Sequence, residues 1–509
     1  MNRRTFVSGL PAALAVASAA LRSPAAFAQA PLPLLDDPVP FSRDWLLETA
    51  QALSAEAYRE PNNALPGNLG DMGYDLYRDI RYRPEARIWA GTEMPFTVDL
   101  FHRGFIYRDR VDIALVVNGE ARRIHYTPDL FDFGKAPQPP ADADVGFSGF
   151  RLRHPINAPD VWDEFLVFQG ASYFRAVGQG QVYGLSGRGL AIKTAAPEGE
   201  EFPRFTRFWI EAPEAQTREI TIHALLDSPS TTGAYRFVIQ PGAETVMEVE
   251  GTLYPRTELG GLGLAPLSSM FLFDATNRSR FDDFRPAVHD SNGLLMLTGN
   301  GEWLWRPLAN PAELQLSAFR DQAPRGFGLM QRARSFDRFQ DLEARYERRP
   351  SVWVEPLGDW GPGHVVLLEI PVDMEIHDNV TAFWRPADPL PQGEPWTHRY
   401  RLRWLQNVDH ELLAATASRS GLTMNQNRRI FAVDFKSPNL PPINTLTLEV
   451  GASAGEVVHP VLQQNPNDGT IRASFQLDPG NEALSELRLR ITADGKPASE
   501  TWLYRWTRR

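Results

Sequence analysis

Apolar and polar residues alternate over most of the chain, and this period of two predicts β-strands. One alternating segment runs from residue 111 to residue 117 and ends at Asn118 and Gly119. This dipeptide tolerates the positive φ angles of a tight turn, so we predict a β-hairpin here. The same alternation predicts further strands at residues 96–100, 220–226, 235–239, 245–254, 365–370 and 398–404.

One segment near the N-terminus has a helical period instead. Apolar residues recur from Leu46 to Ala57 at positions i, i+4, i+7 and i+11, with Ser42 as the predicted N-cap and Pro61 as the predicted stop. Beyond this helix, strands follow strands, without alternating helices and without an internal repeat. The predicted fold is therefore all-β, with antiparallel sheets packed face to face as sandwiches.

A proline-rich stretch at residues 385–395 interrupts the strand pattern. Proline cannot donate to a sheet, so this stretch is predicted to be a linker or a long loop. We predict a large β-sandwich over residues 29–406, which includes the strand-like residues 398–404. A small immunoglobulin-like β-sandwich is predicted over residues 407–509, with strands at residues 429–435, 446–450, 471–477, 487–493 and 500–506.

Residues 1–28 have the order of an export signal: a charged start, an apolar run and a small-residue cleavage site at Ala26 and Ala28. Arg3 and Arg4 stand next to each other, which indicates twin-arginine export to the periplasm. A general secretory signal with two chance arginines is the alternative. The apolar run is shorter than the roughly 20 residues that a membrane-spanning helix needs.

Composition excludes several classes of function. The 509 residues contain no cysteine, so a disulfide framework, a Cys-ligated metal centre and a thiol nucleophile are all excluded. The 52 basic and 63 acidic side chains give a net charge of −11, which argues against a nucleic-acid partner because phosphate binding needs concentrated Lys and Arg. The 38 glycines and 42 prolines fit a chain with many turns.

Common catalytic and cofactor motifs are not matched. Gly178 and Gly180 begin a dinucleotide-like pattern, but the third glycine, Gly184, comes one position too late and no helix pattern follows. Residues 184–188 resemble a nucleophile elbow, except that Arg188 replaces the required glycine. The ten histidines lack metal-ligand spacing. We therefore predict neither a cofactor nor a metal.

The aromatic content leaves a carbohydrate site open. The chain has 13 Trp, 13 Tyr and 29 Phe. Sugar rings stack on aromatic faces while their hydroxyls bind carboxylate, amide and guanidinium groups. Large sandwiches also bury aromatic residues in their cores, and composition alone favours that interpretation.

Several long motifs change this picture, because the sequence resembles the OpgG/OpgD family of osmoregulated periplasmic glucan synthesis. Three segments carry most of the resemblance: residues 281–286 (FDDFRP), 288–294 (VHDSNGL) and 301–308 (GEWLWRPL). Shorter matches support it at residues 170–175, 184–191, 199–205, 225–229, 322–332, 349–353 and 378–380. The similarity runs from about residue 41 to residue 502.

The resemblance implies a large N-terminal mutarotase-like β-sandwich, a small C-terminal immunoglobulin-like domain and a groove for β-1,2-glucan. It also implies an inverting β-1,2-glucan hydrolase or transglycosylase, with Asp378 as the general acid and Asp290 as the general base. Tyr346 and Glu375 fall on positions of the same cleft. The implied partners are β-1,2-glucan chains, with the inner-membrane glucan synthase and a second copy of this chain as candidate protein partners.

The residues themselves are compatible with inversion, which needs one protonated and one ionised carboxyl on opposite faces of the sugar. Glu375 and Asp373 are expected to raise the pKa of Asp378 by like-charge repulsion. Asp-Asn and Asp-Ser pairs also form turns, and that structural role is the alternative. Trp303 and Trp305 would share one face of a strand, as a stacking platform or as core residues. Arg306 would bind glucose hydroxyls or pair with Asp282 or Asp283.

Two features depart from the family pattern. Residues 414–429, which form a loop over the cleft in the family, look shortened here. The twin-arginine signal is typical of the OpgD branch, whereas residues 267–273 and 299–303 are closer to OpgG. The alternative to an enzyme is a non-catalytic protein that receives glucan from the synthase and presents it for modification. Mutarotase-like activity on a monosaccharide rests on fold analogy alone.

Overall fold

The computed structural model describes residues 34–508. The predicted export signal, residues 1–28, lies outside the described residues. Within the described part the chain consists mainly of strands joined by turns, which confirms the all-β class. Two α-helices are present there, α1 (Arg43–Ser54) and α2 (Tyr74–Asp79).

The first half of the described chain forms strands β1 to β18. Their bounds are β1 Val39–Pro40, β2 Arg81–Tyr82, β3 Thr97–His102, β4 Asp112–Val117, β5 Glu120–Arg123, β6 Phe131–Asp132, β7 Phe147–His154, β8 Asp163–Gln169, β9 Tyr173–Ala176, β10 Ser186–Arg188, β11 Ala191–Ile192, β12 Arg204–Glu211, β13 Ile220–Asp227, β14 Thr231–Gln240, β15 Thr245–Pro255, β16 Leu262–Ser269, β17 Phe271–Phe273 and β18 Val288–His289.

The second half forms strands β19 to β34. Their bounds are β19 Gly293–Leu297, β20 Trp303–Pro307, β21 Gln315–Asp321, β22 Gly326–Met330, β23 Ser351–Pro356, β24 Gly363–Glu369, β25 Val380–Pro386, β26 Trp396–Leu405, β27 Ala414–Leu422, β28 Arg429–Lys436, β29 Leu446–Ala452, β30 Glu456–Gln464, β31 Ile471–Asp478, β32 Leu484–Ala493, β33 Lys496–Pro497 and β34 Thr501–Thr507. Short 3-10 helices lie at Pro84–Ala86, Pro128–Leu130, Arg278–Arg280, Phe336–Arg338, Tyr346–Arg348 and Ile443–Thr445.

The predicted N-terminal helix is confirmed as α1. The Ser42 hydroxyl accepts a hydrogen bond from the backbone N–H of Trp45 at 3.1 Å, as an N-cap does. Leu46 and Ala50 are fully buried. The helix ends at Ser54, well before Pro61, so Ala57 lies outside it and is exposed.

The predicted hairpin at residues 111–126 is confirmed as well. Strands β4 and β5 pair in antiparallel register, with Val117 opposite Glu120. Asn118 and Gly119 both have positive φ angles, 53° and 79°, which is the geometry of a type I′ turn. The two-residue turn fixes the register of this hairpin.

A sixteen-stranded sheet forms the frame of the molecule. The strand order is β1-β5-β4-β12-β13-β14-β15-β26-β23-β22-β19-β20-β34-β32-β29, with β33 beside β32. A ten-stranded sheet has the order β21-β24-β25-β16-β10-β9-β8-β7-β3, with β11 beside β16. Strand β26 contains the predicted strand 398–404 and lies between β15 and β23, in the middle of the first sheet.

The two large sheets pack face to face over an aromatic core. Phe150 and Phe168 of the ten-stranded sheet contact Phe208 and Phe237 of the other sheet, with ring centroids 5.0 and 5.2 Å apart. These rings are almost completely buried. Apolar burial is the main stabilising contribution to such a sandwich, and 13 of the 29 phenylalanines of the sequence are buried in this core.

The C-terminal part adds a four-stranded sheet of order β27-β28-β31-β30. Phe431 and Phe475 of this sheet contact Trp502 of β34, with centroids 6.1 and 6.2 Å apart. This second core is continuous with Trp305 and Trp353 of the large sheet. The division of the chain at residue 406 and the immunoglobulin-like type of the C-terminal part stay predictions.

A strand pairing and a buried ion pair are among the contacts that join the C-terminal part to the frame. Strand β34 pairs in parallel with β20, so that Trp502 lies opposite Trp305. The buried carboxylate of Glu500 accepts hydrogen bonds from Arg332 and from His410. The charges of both partners hold the pKa of Glu500 at about 2 against the effect of its burial, which alone would raise it.

Between residues 34 and 508, no helix has the length and the apolar character needed to cross a membrane. Across the same residues, acidic and histidine side chains form no group that could hold a metal ion.

Candidate active site

Asp290 is a buried carboxylate at the end of a short strand. It directly follows β18, and its backbone N–H donates to the carbonyl of Met270 at 2.9 Å. Only 4% of the residue is exposed. Burial raises the pKa of the Asp290 carboxyl to about 6, against the opposing charge of Arg349 and with a further increase from the charge of Asp378.

Arg349 is the direct partner of Asp290. Its Nη1 donates a hydrogen bond to Oδ1 of Asp290, and its guanidinium lies 4.6 Å from the ring centroid of Tyr346. Gly184 makes room for this arginine, because a Cβ at Gly184 would lie 3.0 Å from the Cβ of Arg349. The glycine that fails as part of a dinucleotide loop thus has a packing role here.

Asp378 is the exposed carboxylate of the site. It precedes β25, and its side chain is 36% exposed. The next residue, Asn379, is buried and donates from Nδ2 to the carbonyls of Phe271 and Ile370, both at 3.0 Å. Asn379 therefore has the structural role that an Asp-Asn pair can play, and it fixes the backbone from which Asp378 extends.

Arg175 of β9 lies beside Asp378. Its Nη2 is 3.6 Å from Oδ2 of Asp378, and its Nε donates to the hydroxyl of Ser186 at 2.6 Å. Ser186 belongs to β10, in the stretch that resembles a nucleophile elbow in sequence. In the structure this serine orients an arginine, and the sequence analysis did not predict the ion pair between Arg175 and Asp378.

Glu375, the acidic residue expected near Asp378, is itself paired with an arginine. Its carboxylate lies 2.8 Å from the guanidinium of Arg285 and accepts a hydrogen bond from the hydroxyl of Tyr346 at 3.1 Å. Burial raises the pKa of Tyr346, and the charge of Glu375 raises it further. The ion pair of Asp378 is therefore with Arg175, whereas Glu375 faces Arg285.

Gln331 connects the two halves of this arrangement. It is fully buried, and its Nε2 donates to the carbonyl of His289 at 2.9 Å and to that of Tyr346 at 3.3 Å. The strand end that bears Asp290 is thereby tied to the 3-10 helix that bears Tyr346. Asp290, Tyr346 and Glu375 thus belong to one connected region, and the charge of Asp378 acts on Asp290 from beside it.

A cavity of about 670 Å³ opens at Asp378 and Arg175. Its wall combines aromatic rings such as Tyr107 and Tyr173 with polar groups such as Gln169. Ligand cavities of this size hold several sugar units or a drug-sized molecule. Asp290 is buried and does not line this cavity.

Trp305 and Trp303 lie elsewhere. Trp305 is 3% exposed and packs in the second core, with the guanidinium of Arg332 only 3.8 Å from its ring centroid. Trp303 is half-buried and stacks on His410 and Trp353, with centroids 4.6 and 5.8 Å away. The two residues share one face of β20, as their spacing predicts, and that face packs against protein.

Arg306 is also placed in the interior. It is 2% exposed, and its Nη2 lies 3.1 Å from the carboxylate of Glu369. The predicted pairing of Arg306 with Asp282 or Asp283 is wrong, since Arg306 pairs with Glu369 and Asp283 pairs with Arg285 at 2.8 Å. A role in binding glucose hydroxyls has no support from a guanidinium that is buried and paired.

The stretch 414–429, which looks shortened in sequence, is part of a β-hairpin. Residues 414–422 form strand β27, which pairs with β28 across a short turn. Ser420 donates from its hydroxyl to the carbonyl of Thr276 at 2.8 Å. The shortened segment is a hairpin that contacts residues 275–276 of the large part.

Comparison with known proteins gives matches over nearly the whole chain. The family model described as "Periplasmic glucan biosynthesis protein, MdoG" matches residues 41–506. A "Glucans biosynthesis protein G" of Vibrio cholerae serotype O1 is 48% identical over 474 residues, which cover 92% of this chain and 87% of the relative. The protein of the same name from Rhodopseudomonas palustris strain BisA53 is 47% identical over 512 residues and covers 100% of both chains.

One further relative and one solved structure complete the comparison. The "Glucans biosynthesis protein G" of Shewanella frigidimarina is 48% identical over 473 residues, which cover 92% of this chain and 85% of its own. A glycoside hydrolase family 81 enzyme from Clostridium thermocellum aligns with 64% of this chain and 34% of its own, at 5% identity and a TM-score of 0.17. A structural likeness this weak has no bearing on fold or activity.

Proposed function

Because this chain belongs to the MdoG family of periplasmic glucan biosynthesis proteins, we propose that it acts on the glucan backbone as an inverting β-1,2-glucan hydrolase or transglycosylase. Asp378 is the general acid and Asp290 is the general base. The observation that carries this proposal is the contrast between two coupled carboxylates: Asp378 opens to a large cavity, whereas Asp290 is buried with a pKa of about 6.

The reaction needs both groups in different protonation states. Protonated Asp378 gives its proton to the glycosidic oxygen as the bond from the anomeric carbon to that oxygen breaks. A water molecule attacks the same carbon from the opposite face and loses its proton to the base. In the transfer reaction, a hydroxyl group of a second glucan chain replaces the water.

The position of each carboxylate suits its role. Asp378 lines the cavity, so a glycosidic oxygen can come within hydrogen-bond distance of it. Asp290 does not line the cavity, and its proton would arrive through an intervening hydroxyl or water. A base with a pKa of about 6 is ionised at neutral pH and still accepts a proton readily.

A second candidate function is non-catalytic glucan binding, in which the protein receives backbone from the membrane synthase and presents it for modification. One observation favours it: each carboxylate contacts an arginine, Asp290 with Arg349 and Asp378 with Arg175. At the cavity, a carboxylate paired in this way, as Asp378 is, can accept hydrogen bonds from sugar hydroxyls without taking part in proton transfer.

The export signal at residues 1–28 is a further part of the proposal. The family name places this chain in periplasmic glucan synthesis, and the adjacent Arg3 and Arg4 favour the twin-arginine route. Replacing both arginines with lysine should abolish export if that route is used, whereas a general secretory signal would still deliver the protein.

Incubation of the purified protein with linear β-1,2-glucan tests the catalytic assignment. We expect the wild-type protein to change the length distribution of the glucan, and we expect this change to be at least about 100-fold slower with Asp378→Asn. Asp494→Asn is the matched control, because Asp494 lies in the turn between β32 and β33 with a φ of 49° that asparagine also adopts.

Three outcomes separate the candidate functions. Loss of turnover in Asp378→Asn, with retained glucan affinity, supports catalysis. Glucan binding by wild type without any product over long incubation selects the binding function. Equal turnover in wild type and Asp378→Asn contradicts the assignment of the acid.

A further inference from the structure

A stack of three side chains lies at the edge of the cavity at Asp378. The guanidinium of Arg188, on β10, is 5.0 Å from the ring centroid of Tyr173 and 5.3 Å from that of Phe202. Tyr173 lines the cavity, whereas Phe202 does not. One guanidinium thus joins an aromatic ring of the cavity wall to a ring outside the cavity, and we refer to these three residues as the rim platform.

The rim platform begins close to the proposed general acid. Burial raises the pKa of the Tyr173 hydroxyl, and the charge of Asp378 adds to this increase. The ring of Tyr173 therefore lies within electrostatic reach of Asp378, and a chain bound at Asp378 can pass along this ring.

Phe202 is the exposed member of the rim platform. It is 46% exposed, whereas Arg188 is only 3% exposed although it carries a charge. The two rings shield the guanidinium from water, and Phe202 still presents nearly half of its surface to solvent.

Polar contacts hold the segment that bears Phe202 in place. Nη2 of Arg188 donates a hydrogen bond to the carboxylate of Glu200 at 2.7 Å. The carboxylate of Glu201 accepts hydrogen bonds from the backbone N–H and the hydroxyl of Ser230, at 2.9 and 2.6 Å. The ring of Phe202 is therefore fixed before a ligand arrives, which lowers the entropy cost of binding.

A fixed and partly exposed ring of this kind suits a sugar unit. The C–H face of a pyranose packs against an aromatic ring, and its hydroxyls donate to carboxylates. Glu200, two residues before Phe202, has a side chain that is 20% exposed and can accept such a bond. Because Phe202 lies outside the cavity, a glucan that contacts both is longer than the part that the cavity encloses.

We propose that the rim platform binds a sugar unit of a long β-1,2-glucan chain outside the cavity, and that the protein therefore binds long chains more tightly than short oligosaccharides. This inference rests on the proposed function in one respect, that the ligand is β-1,2-glucan. It does not depend on which carboxylate transfers a proton or on whether turnover occurs.

Isothermal titration calorimetry in an Asp378→Asn background tests the proposal, because this background should leave the glucan intact during the titration. The probes are a β-1,2-linked glucose trisaccharide and long linear β-1,2-glucan. Adding Phe202→Ala should lower the affinity for the long glucan by about three- to tenfold, the loss expected for one aromatic stacking contact. The affinity for the trisaccharide, which the cavity accommodates, should not change.

Two further substitutions separate stacking on a ring from general apolar contact. Phe202→Tyr retains the aromatic face and should bind the long glucan as the background does. Phe202→Leu retains apolar volume without a ring and should bind it as weakly as Phe202→Ala.

Trp45→Ala is the matched control. Trp45 is 39% exposed, lies on α1 and does not line the cavity, so its loss should leave both affinities unchanged. Circular dichroism confirms that each variant is folded.

The outcomes separate this inference from the proposed catalytic function. Weaker binding of long glucan by Phe202→Ala, together with no product from wild type, would support the rim platform and reject catalysis. Equal affinity of Phe202→Ala and the background for long glucan would overturn the rim platform alone. An equal loss for both probes would place the effect of Phe202 within the cavity and overturn the preference for long chains. The absence of any glucan binding would overturn both proposals.

Discussion

Arg349 donates a hydrogen bond to the carboxylate of Asp290, in the candidate active site. It thereby places a positive charge beside a buried acid whose pKa is raised to about 6. Burial favours the protonated form of Asp290, and the charge of Arg349 is the largest opposing effect. The arginine therefore sets the pH above which Asp290 is ionised and able to act as a base.

Replacing Arg349 should shift the pH dependence of the reaction. In Arg349→Gln the pKa of Asp290 rises above about 6, because the opposing charge is gone while burial remains. The acidic limb of the kcat/KM profile should then move to higher pH, by roughly one unit. The measurement is the kcat/KM profile on β-1,2-glucan between pH 4 and 8.

Arg349→Lys is the matched variant for this experiment. It retains the positive charge, so its acidic limb should stay closer to that of wild type even if the activity is lower. An acidic limb that is identical in Arg349→Gln and wild type would show that Asp290 is not the titrating base.

Asp290 should make the fold less stable at neutral pH than at acid pH. Its pKa rises from 3.8 to about 6 on folding, so the folded state binds the proton more tightly than the unfolded chain. The stabilisation of the folded state by protonation of Asp290 is complete below pH 3.8 and is lost as the pH rises through about 6. The difference in free energy of unfolding between Asp290→Asn and wild type should therefore change in favour of Asp290→Asn by up to about 3 kcal/mol as the pH rises from 3.5 to 7.5.

Urea unfolding of both proteins at several pH values measures this difference. Asp494→Asn serves as the reference, because Asp494 is exposed and lies in the turn between β32 and β33. A difference in free energy of unfolding between Asp290→Asn and wild type that does not change with pH would mean that the Asp290 carboxyl has the same pKa in the folded and unfolded chains.

Trp305 should contribute to stability and not to glucan affinity. Trp305→Ala removes a large side chain from the second core, and we expect the free energy of unfolding to fall by about 3 to 5 kcal/mol. The affinity of the remaining folded protein for β-1,2-glucan should be unchanged, because Trp305 does not line the cavity at Asp378. Urea unfolding and calorimetric glucan titration measure the two effects.

Trp162→Ala is the comparison for Trp305→Ala, since Trp162 is 37% exposed and its loss should cost much less stability. Weaker glucan binding by folded Trp305→Ala, with normal binding by Trp162→Ala, would give Trp305 the stacking role that the sequence left open.

Local sequence patterns predicted local structure well. Asn118 and Gly119 define a hairpin through their own backbone preferences, and Ser42 caps α1 through its own side chain. Such features depend on neighbours within a few residues. The fold class followed from the same patterns, because alternating segments without intervening helices leave few architectures other than sandwiches.

Long-range partners were not predictable in the same way. Arg306 was expected to pair with a nearby acid, but Asp283 is taken by Arg285, and Arg306 pairs across the sandwich with Glu369. Asp378 was expected to be influenced by Glu375, yet Arg175 from another strand lies beside it. Sequence spacing shows which residues share a face, whereas the partner of that face depends on how the sheets pack.

The parallel pairing of β34 with β20 has a consequence for any shortened form of this protein. Strand β20 pairs with β19 on one side and with β34 on the other, so a chain ending at residue 406 would have unpaired N–H and C=O groups along β20. Trp303 and Trp305 of that strand would lose the C-terminal core that covers them. An open, aromatic strand edge is a template for intermolecular pairing, and the last strand of the chain therefore protects the large sheet from aggregation.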